Sequence, residues 1–192
     1  MTQTTREKII DATLHLIQEK GYKAATTKLI AEEAGVREIT IFRHFGNKMG
    51  IMDEAFTYLL VSPISERFFE IEPIWDLEKD LTQYVNRYNQ ILNKNRDFIL
   101  ISFKEMGTFP KLDQLITSIP REIKDRLIDY FTEMHRQGKV IETNFEAVVL
   151  NLLWLLFGTF LSRTRFENQI TSLSEEDLYQ NSILLFTRGL TP

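Results

Sequence analysis

Residues 27–46, TKLIAEEAGVREITIFRHFG, decide how this chain folds. They predict two short helices joined by a tight turn, because Gly35 stands where a helix end favours a positive φ. Ile41 and Phe45 are four residues apart and therefore share one face of the second helix. This pattern is typical of a helix-turn-helix, whose second helix enters the DNA major groove. The twenty residues alone leave an ordinary αα-hairpin in a helical bundle as a serious alternative.

Helices are also predicted on both sides of this stretch. Upstream, Thr4 and Glu7 fit a capping box, helical spacing follows, and Gly21 stops the helix. Downstream, Asn47 is predicted to cap a further helix that runs to about residue 61. Residues 1–62 are therefore predicted to form an N-terminal DNA-binding domain, with the helix-turn-helix at about 27–46.

The segment 5–61 resembles the DNA-binding domain of the TetR family of transcriptional regulators. The resemblance rests on IIDATLHLIQEKGY, TT, IAEEAGV, TIFRHF and NK, which follow the family's order and spacing. Three positions depart from the family pattern. Arg37 replaces the usual Ser or Thr, Phe42 replaces the usual Tyr and has no hydroxyl for a phosphate, and Ile39 is bulkier than the usual small residue. These departures bear on the operator sequence more than on DNA binding itself.

The resemblance also implies which residues contact DNA. Backbone contacts are expected from Thr27, Thr40, Phe42 and Lys48, and contacts near the bases from Arg37, Glu38, Arg43 and His44. Lys28 belongs to the same cluster of positive charge. Arginine suits guanine O6 and N7. Glu38 would face phosphates unfavourably, so a solvated helix face is the preferred interpretation of this residue unless it accepts from cytosine. A solvated helix face is the alternative for each of these charges.

The charge balance permits DNA binding without demanding it. The net charge is −4, but residues 1–60 hold eight basic and eight acidic residues, so the whole deficit lies after them. The chain has no cysteine, which excludes disulfides and thiolate metal sites. Residues 1–20 are charged and amphipathic, unlike a secretion signal, so a cytoplasmic location is expected.

Residues 63–192 are predicted to form a larger helical domain for effector binding and dimerisation. Pro63 marks a break, and Pro120 is predicted to lie near a helix start. Helical spacing recurs over residues 76–95, 96–106, 120–139, 145–166 and 175–189. The expected fold class is therefore all-α, with a three-helix DNA-binding domain followed by this larger domain.

The longest apolar stretch, residues 147–161, is too short for a membrane span, which needs about 20 apolar residues. It is predicted to be a helix buried on all sides, with a partner subunit covering the flank that its own chain leaves open. The family resemblance implies a homodimer through helices near 144–164 and 174–189. A central core helix in a monomer is the alternative.

The resemblance further implies a pocket for a small effector inside the second domain. The candidate lining is mostly aromatic, which would suit a large hydrophobic ligand. Helical spacing cannot separate a packed aromatic residue from one that lines a pocket. The candidates are Phe56, Leu60, Trp75, Tyr84, Tyr88, Phe103, Met106, Asn151 and Trp154.

Catalysis is not predicted. The three histidines lie in different helices, and no HExxH, glycine-rich phosphate loop or GxSxG motif is present. No catalytic residue, cofactor or metal is therefore expected. The expected function is that of a dimeric repressor, which a small hydrophobic ligand releases from a pseudo-palindromic DNA operator. The alternative is a helical DNA-binding protein that acts architecturally or through protein partners, without an effector.

Overall fold

The computed structural model describes residues 3–61 and 70–192, with backbone alone for residues 56–61, 111 and 115. Within these ranges the chain forms helices, turns and loops but no β-strand, which confirms the all-α fold class. The helices are α1 Thr5–Lys20, α2 Thr27–Ala34, α3 Glu38–Phe45, α4 Lys48–Val61, α5 Leu77–Lys94, α6 Arg96–Lys104, α7 Pro110–Arg136, α8 Phe145–Phe166 and α9 Glu175–Leu190.

The chain divides into two compact units. Unit 1 comprises Met1–Pro63 and Asn95–Thr117, and unit 2 comprises Ile64–Lys94 and Ser118–Pro192. This division differs from a single boundary after residue 62, because α6 and the first turns of α7 return to unit 1. The boundary between the units therefore also falls inside α7.

The core of unit 1 explains why Asn95–Thr117 belongs to it. Ile9 and Ile17 of α1, Ile30 of α2 and Ile41 of α3 are fully buried in one apolar cluster. Side chains from the returning segment complete that cluster, because they leave at most a few per cent of their surface exposed. They are Ile101, Phe109 and Leu112.

Local signals set the helix ends of unit 1 as predicted. The Thr4 hydroxyl accepts from the backbone N–H of Glu7, and the Glu7 carboxylate accepts from the backbone N–H of Thr4 at 2.8 Å, which confirms the capping box. Gly21 ends α1, and Asn47 caps the start of α4 by accepting from the N–H of Gly50 at 2.9 Å. These caps fix where each helix of the DNA-binding region begins or ends.

Pro120 does not start a helix, so that prediction was wrong. It lies inside α7, and the proline at the helix start is Pro110. The first helical position tolerates proline because its missing N–H would have no partner there. Pro120 is exposed, so its ring interrupts the backbone ladder on the solvent side rather than in the core.

In unit 2, α5 packs against α8 and α9. The loop before α5 is held by a buried carboxylate. Asp80, only 1% exposed, accepts from the backbone N–H groups of Ile74 at 2.9 Å and Asp76 at 3.2 Å. It also accepts from the Tyr130 hydroxyl at 2.9 Å. The indole of Trp75, a residue with φ of 63°, stacks on the Tyr130 ring. Three donors thus converge on one buried acid and hold the strained loop in place.

Helix α8 is buried on one side only. Val149, Leu152, Leu156 and Phe160 are buried, but Trp154 is 65% exposed. By length and composition alone α8 could cross a membrane, and 28% of its most apolar window is buried within its own chain. The predicted burial on all sides therefore does not occur within a single chain.

Candidate nucleic-acid interface

The turn between α2 and α3 has the geometry that the sequence predicts. Gly35 adopts the left-handed conformation, with φ of 66° and ψ of 34°. Its N–H group and that of Val36 both donate to carbonyls in the last turn of α2, the latter to Ala31 at 2.9 Å. A residue with a Cβ would be strained at this φ, so the glycine lets the chain reverse sharply into α3.

Helix α3 has one buried and one exposed side. Ile41 and Phe45 are buried in the core of unit 1, while Arg37, Ile39, Phe42 and Arg43 are exposed. Arg37 occupies the N-cap position without a side-chain cap, so the first N–H groups of α3 remain open to a partner. An open helix N-terminus beside arginines favours an anionic partner such as a phosphate.

Thr27 and Glu38, both predicted to contact DNA, are hydrogen-bonded to each other. The Thr27 hydroxyl donates to the Glu38 carboxylate at 2.6 Å. The bond ties the start of α2 to the start of α3. It also gives the acid at the front of α3 a partner within the protein, which reduces the freedom of that charge to approach phosphates.

Lys48 lies at the start of α4 in a cluster with Tyr22 and Glu105. Its ammonium group donates to the Tyr22 backbone carbonyl and lies 3.9 Å from the centroid of the Tyr22 ring. The Tyr22 N–H donates to Glu105 at 3.0 Å. Burial lowers the pKa of Lys48, and the negative charge of Glu105 opposes that shift. Sequence reasoning missed this cluster, because Glu105 lies far along the chain.

Phe109 packs against Tyr22. The two rings meet edge to face, with centroids 4.7 Å apart, and Phe109 is only 1% exposed. Lys48 is therefore positioned by residues of the returning segment 95–117 as well as by its own helix. An ammonium group has three donors, so the bond to Tyr22 leaves others for a phosphate oxygen.

Gly50 allows α4 to pass close to the end of α3. A Cβ built on Gly50 would overlap the backbone carbonyl oxygen of Phe45 and lie 3.0 Å from its carbonyl carbon. Only a residue without a side chain fits between the two helices at this point. The sequence carries the glycine, but its spacing gave no sign of the close approach.

The remaining predicted contacts lie around the same helix. Thr40 and His44 on α3 are partly exposed, and Lys28 on α2 is exposed. The structure thus brings all nine predicted DNA-contacting residues onto α2, α3, the N-cap of α3 and the first residue of α4. Their chemistry is mainly cationic and hydroxyl-bearing, which suits a phosphate backbone.

The predicted pocket residues whose side chains are described are divided between the two units. Phe103 and Met106 belong to unit 1 and are 42% and 52% exposed. Asn151 and Trp154 lie on the exposed side of α8. Tyr84 and Tyr88 are buried in unit 2, and burial raises the pKa of each to about 12. The side chains of Phe56 and Leu60 lie outside the described part of the chain.

Unit 2 has an open cleft of about 500 Å³ that sequence reasoning did not predict. Trp75 borders it, and the Lys139 ammonium group at its edge donates to the Trp75 carbonyl at 2.7 Å. The Thr187 hydroxyl is buried there and has no hydrogen-bond partner among the described residues. The further lining residues are Asp76, Leu77, Glu78, Met134, Gly138, Thr191 and Pro192.

Helices α8 and α9 each carry exposed apolar residues. On α8, Ala147, Asn151, Trp154 and Gly158 are exposed and follow helical spacing, so they form one stripe. On α9, Leu184 and Leu185 are 37% and 72% exposed. Exposed apolar surface of this kind, interspersed with small residues, is typical of a face that another protein covers.

Comparison with known proteins finds a family match in the N-terminal part of the chain. The family model for bacterial regulatory proteins of the tetR family matches residues 9–55, which span α1 to α3 and the first part of α4. The uncharacterized HTH-type transcriptional regulator YvkB of Bacillus subtilis is 35% identical over 189 residues, covering 97% of each chain.

Two further similarities extend over most of the chain. IcaR of Staphylococcus aureus, the HTH-type negative transcriptional regulator of the biofilm operon icaADBC, is 23% identical and covers 88% of this chain and 96% of its own. Among solved structures, a transcriptional regulator from Saccharomonospora viridis in complex with choline has a TM-score of 0.75 at 19% identity, covering 97% of each chain. The structural similarity concerns the fold.

Proposed function

Since this chain belongs to the tetR family of bacterial regulatory proteins and is a transcriptional regulator, we propose that it is a repressor that binds a pseudo-palindromic operator as a homodimer. We further propose that a small hydrophobic ligand releases it. Regulators of this family bind DNA operators and function as dimers. The name of the relative IcaR as a negative regulator favours repression over activation.

The observation that carries the proposal is the exposed side of α3. Arg37 and Arg43 flank it, the N-terminus of α3 is open, and Ile41 and Phe45 hold the opposite side in the core. A helix of about 10–12 Å diameter with such a face fits the major groove, which is about 12 Å wide. Arg43 is proposed to read guanine, and Lys28 and Lys48 to contact phosphates.

One recognition helix covers only a few base pairs, so specific binding calls for two copies. Two recognition helices related by a two-fold axis meet successive major grooves about 34–36 Å apart. The stripe Ala147, Asn151, Trp154 and Gly158, together with Leu184 and Leu185, is the proposed dimer surface. A second copy covering this face would remove the exposed side of α8 from water. A dimer therefore accounts for the apolar surface of α8 without placing the helix in a membrane.

The effector proposal rests on the aromatic composition of unit 2 and on its open cleft. Trp75 is common to the predicted lining and to the observed cleft. The buried Thr187 hydroxyl would gain a hydrogen bond from a polar group on the ligand. A cytoplasmic location is proposed as well, because a bacterial repressor must reach the chromosome.

The first experiment is selection of genomic fragments that the full-length protein binds. The selected sequences should share a pseudo-palindrome, and the neighbouring genes would suggest the effector. Arg43→Ala should weaken binding to the selected operator far more than to random duplex, because one good base contact contributes about 1–3 kcal/mol of discrimination. Arg121→Ala, at an exposed arginine of α7 in unit 2, is the matched control and should leave affinity unchanged.

The salt dependence separates phosphate contacts from base contacts. Loss of Lys28 should weaken all duplexes alike and lower the salt slope by about one unit per subunit. A wild-type protein that selects no common sequence, or an Arg43→Ala variant with full operator affinity, would contradict the proposed function.

A further inference from the structure

Ile39 holds an unusual place on the surface of unit 1. It lies in the first turn of α3 and is 68% exposed, and Phe42 beside it is 44% exposed. A single exposed apolar residue is ordinary on a protein surface. This one lies among charged residues on the helix proposed to enter DNA, where the family resemblance leads us to expect a small side chain.

The helix geometry places Ile39 in the middle of the exposed side. At 3.6 residues per turn, Ile39 lies about 200° around the helix axis from the buried Ile41 and about 40° from Arg43. Its neighbour Glu38 is bonded to Thr27, so that carboxylate is held by α2. Ile39 and Arg43 therefore project together, away from the core.

The chemistry of an isoleucine restricts what it can recognise. It has no hydrogen-bond donor or acceptor, so it can only make apolar contacts. The edges of the bases in the major groove carry one apolar group that differs between base pairs, the C5-methyl group of thymine. The exposed Arg37 and Arg43 on either side of Ile39 favour a polyanion as the partner of this face.

We infer that Ile39 is a specificity-determining residue that packs against a thymine methyl group in each half of the operator. This inference rests on the proposed function, because it requires α3 to lie in the major groove. It predicts at least one A·T pair per half-site whose thymine is needed for its methyl group and not for a hydrogen bond.

The test replaces each thymine of the selected operator in turn by deoxyuridine, which lacks only the methyl group. Burying one such group contributes about 0.8 kcal/mol, so the wild-type protein should bind about 4-fold more weakly when one half-site is changed. The loss should be about 15-fold when both half-sites are changed. Affinity is measured by fluorescence anisotropy with labelled duplexes at fixed salt.

The protein variants complete a double-mutant cycle. Ile39→Ala should bind the thymine operator about as weakly as wild type binds the deoxyuridine operator, and should not distinguish the two duplexes. Ile39→Val retains branched methyl groups and should keep most of the preference. Ile170→Ala, at an isoleucine of unit 2 with 67% exposure, is the matched control and should keep the full preference.

The outcomes distinguish the inference from the proposed function. If wild type binds the operator but no deoxyuridine position weakens it, the inference is overturned while the proposed function stands. The inference is also overturned if Ile39→Ala keeps the deoxyuridine sensitivity, because another side chain must then read the methyl group. If wild type selects no operator, the proposed function fails and the inference fails with it.

Discussion

Replacing Gly50 by alanine should destabilise unit 1, although the usual rule for a helix predicts the reverse. Alanine inside a helix is more favourable than glycine by about 0.5–1 kcal/mol. At Gly50, however, the new Cβ would overlap the Phe45 carbonyl oxygen and lie 3.0 Å from its carbonyl carbon. The obstacle is backbone and not a flexible side chain, so α3 and α4 must move apart.

The expected size of the effect follows from these two opposing contributions. Overpacking of this kind costs about 1–3 kcal/mol, which exceeds the helix-propensity gain. Because the overlapped atoms are backbone, the cost lies in the upper part of this range, at about 2–3 kcal/mol. The net loss should therefore be about 1–2.5 kcal/mol, or a decrease in Tm of about 2–10 °C for a chain of this size. Because Phe45 ends α3, the movement displaces the recognition helix, and operator affinity should fall at least tenfold.

Differential scanning calorimetry and operator titration measure the two effects. Gly189→Ala is the matched control, since a Cβ at this helical glycine meets nothing within 4 Å. The control should leave the Tm unchanged or raise it slightly, and should keep operator affinity. A Gly50→Ala protein whose Tm equals or exceeds that of wild type, with unchanged affinity, would refute the close approach of α3 and α4.

Three other changes test the two units and the proposed dimer. Phe109→Ala and Phe131→Ala remove fully buried rings from the cores of different units, so each should cost about 3–5 kcal/mol and lower hydrogen-exchange protection mainly in its own unit. Equal loss in both units for either variant would argue against the division. Asp80→Ala orphans three donors, including the Tyr130 hydroxyl, and should cost about 3–5 kcal/mol in urea unfolding. Leu185→Glu changes an exposed residue, so it should leave the fold intact and produce monomers in sedimentation velocity. A wild-type protein that is a stable monomer in the same measurement would contradict the proposed dimer.

Local chemistry made the helix-turn-helix predictable. A capping box needs only Thr4 and Glu7, and a left-handed helix end needs only Gly35, so both were visible in a few neighbouring residues. The buried side of α3, which carries Ile41 and Phe45, follows from helical periodicity alone. Nothing in these features depends on a distant part of the chain, so two short helices within residues 27–46 and a turn at Gly35 could be predicted from neighbouring residues alone.

Pro120 shows how a correct rule can be applied to the wrong residue. The preference of proline for the first helical position holds in this chain, but Pro110 satisfies it. From sequence, either proline could start the helix, because both precede segments with helical spacing. The choice depends on whether the residues between them pack as helix, and Leu112 does so in the core of unit 1.

The burial of Asp80 could have been predicted from the sequence. Residues 77, 81, 84, 85 and 88 mark the apolar side of α5, and position 80 falls on that side by helical spacing. A carboxylate on a buried face needs hydrogen-bond donors, so its presence there predicts a polar cluster. The identity of the donors could not be predicted, since Tyr130 is fifty residues away.

The unit that carries the helix-turn-helix includes residues 95–117, so DNA binding should be studied with the full chain. Sequence similarity to the family model ends at residue 55, and the sequence alone predicts a DNA-binding domain of residues 1–62. Such a fragment would lack Ile101, Phe109 and Leu112, whose burial contributes about 1.5–3 kcal/mol each. That sum is comparable to the whole stability of a small domain. It would also lack Glu105, which accepts from Tyr22 beside Lys48. Weak DNA binding by the fragment would therefore reflect an incomplete core, and the operator and its effector have to be sought with the full chain.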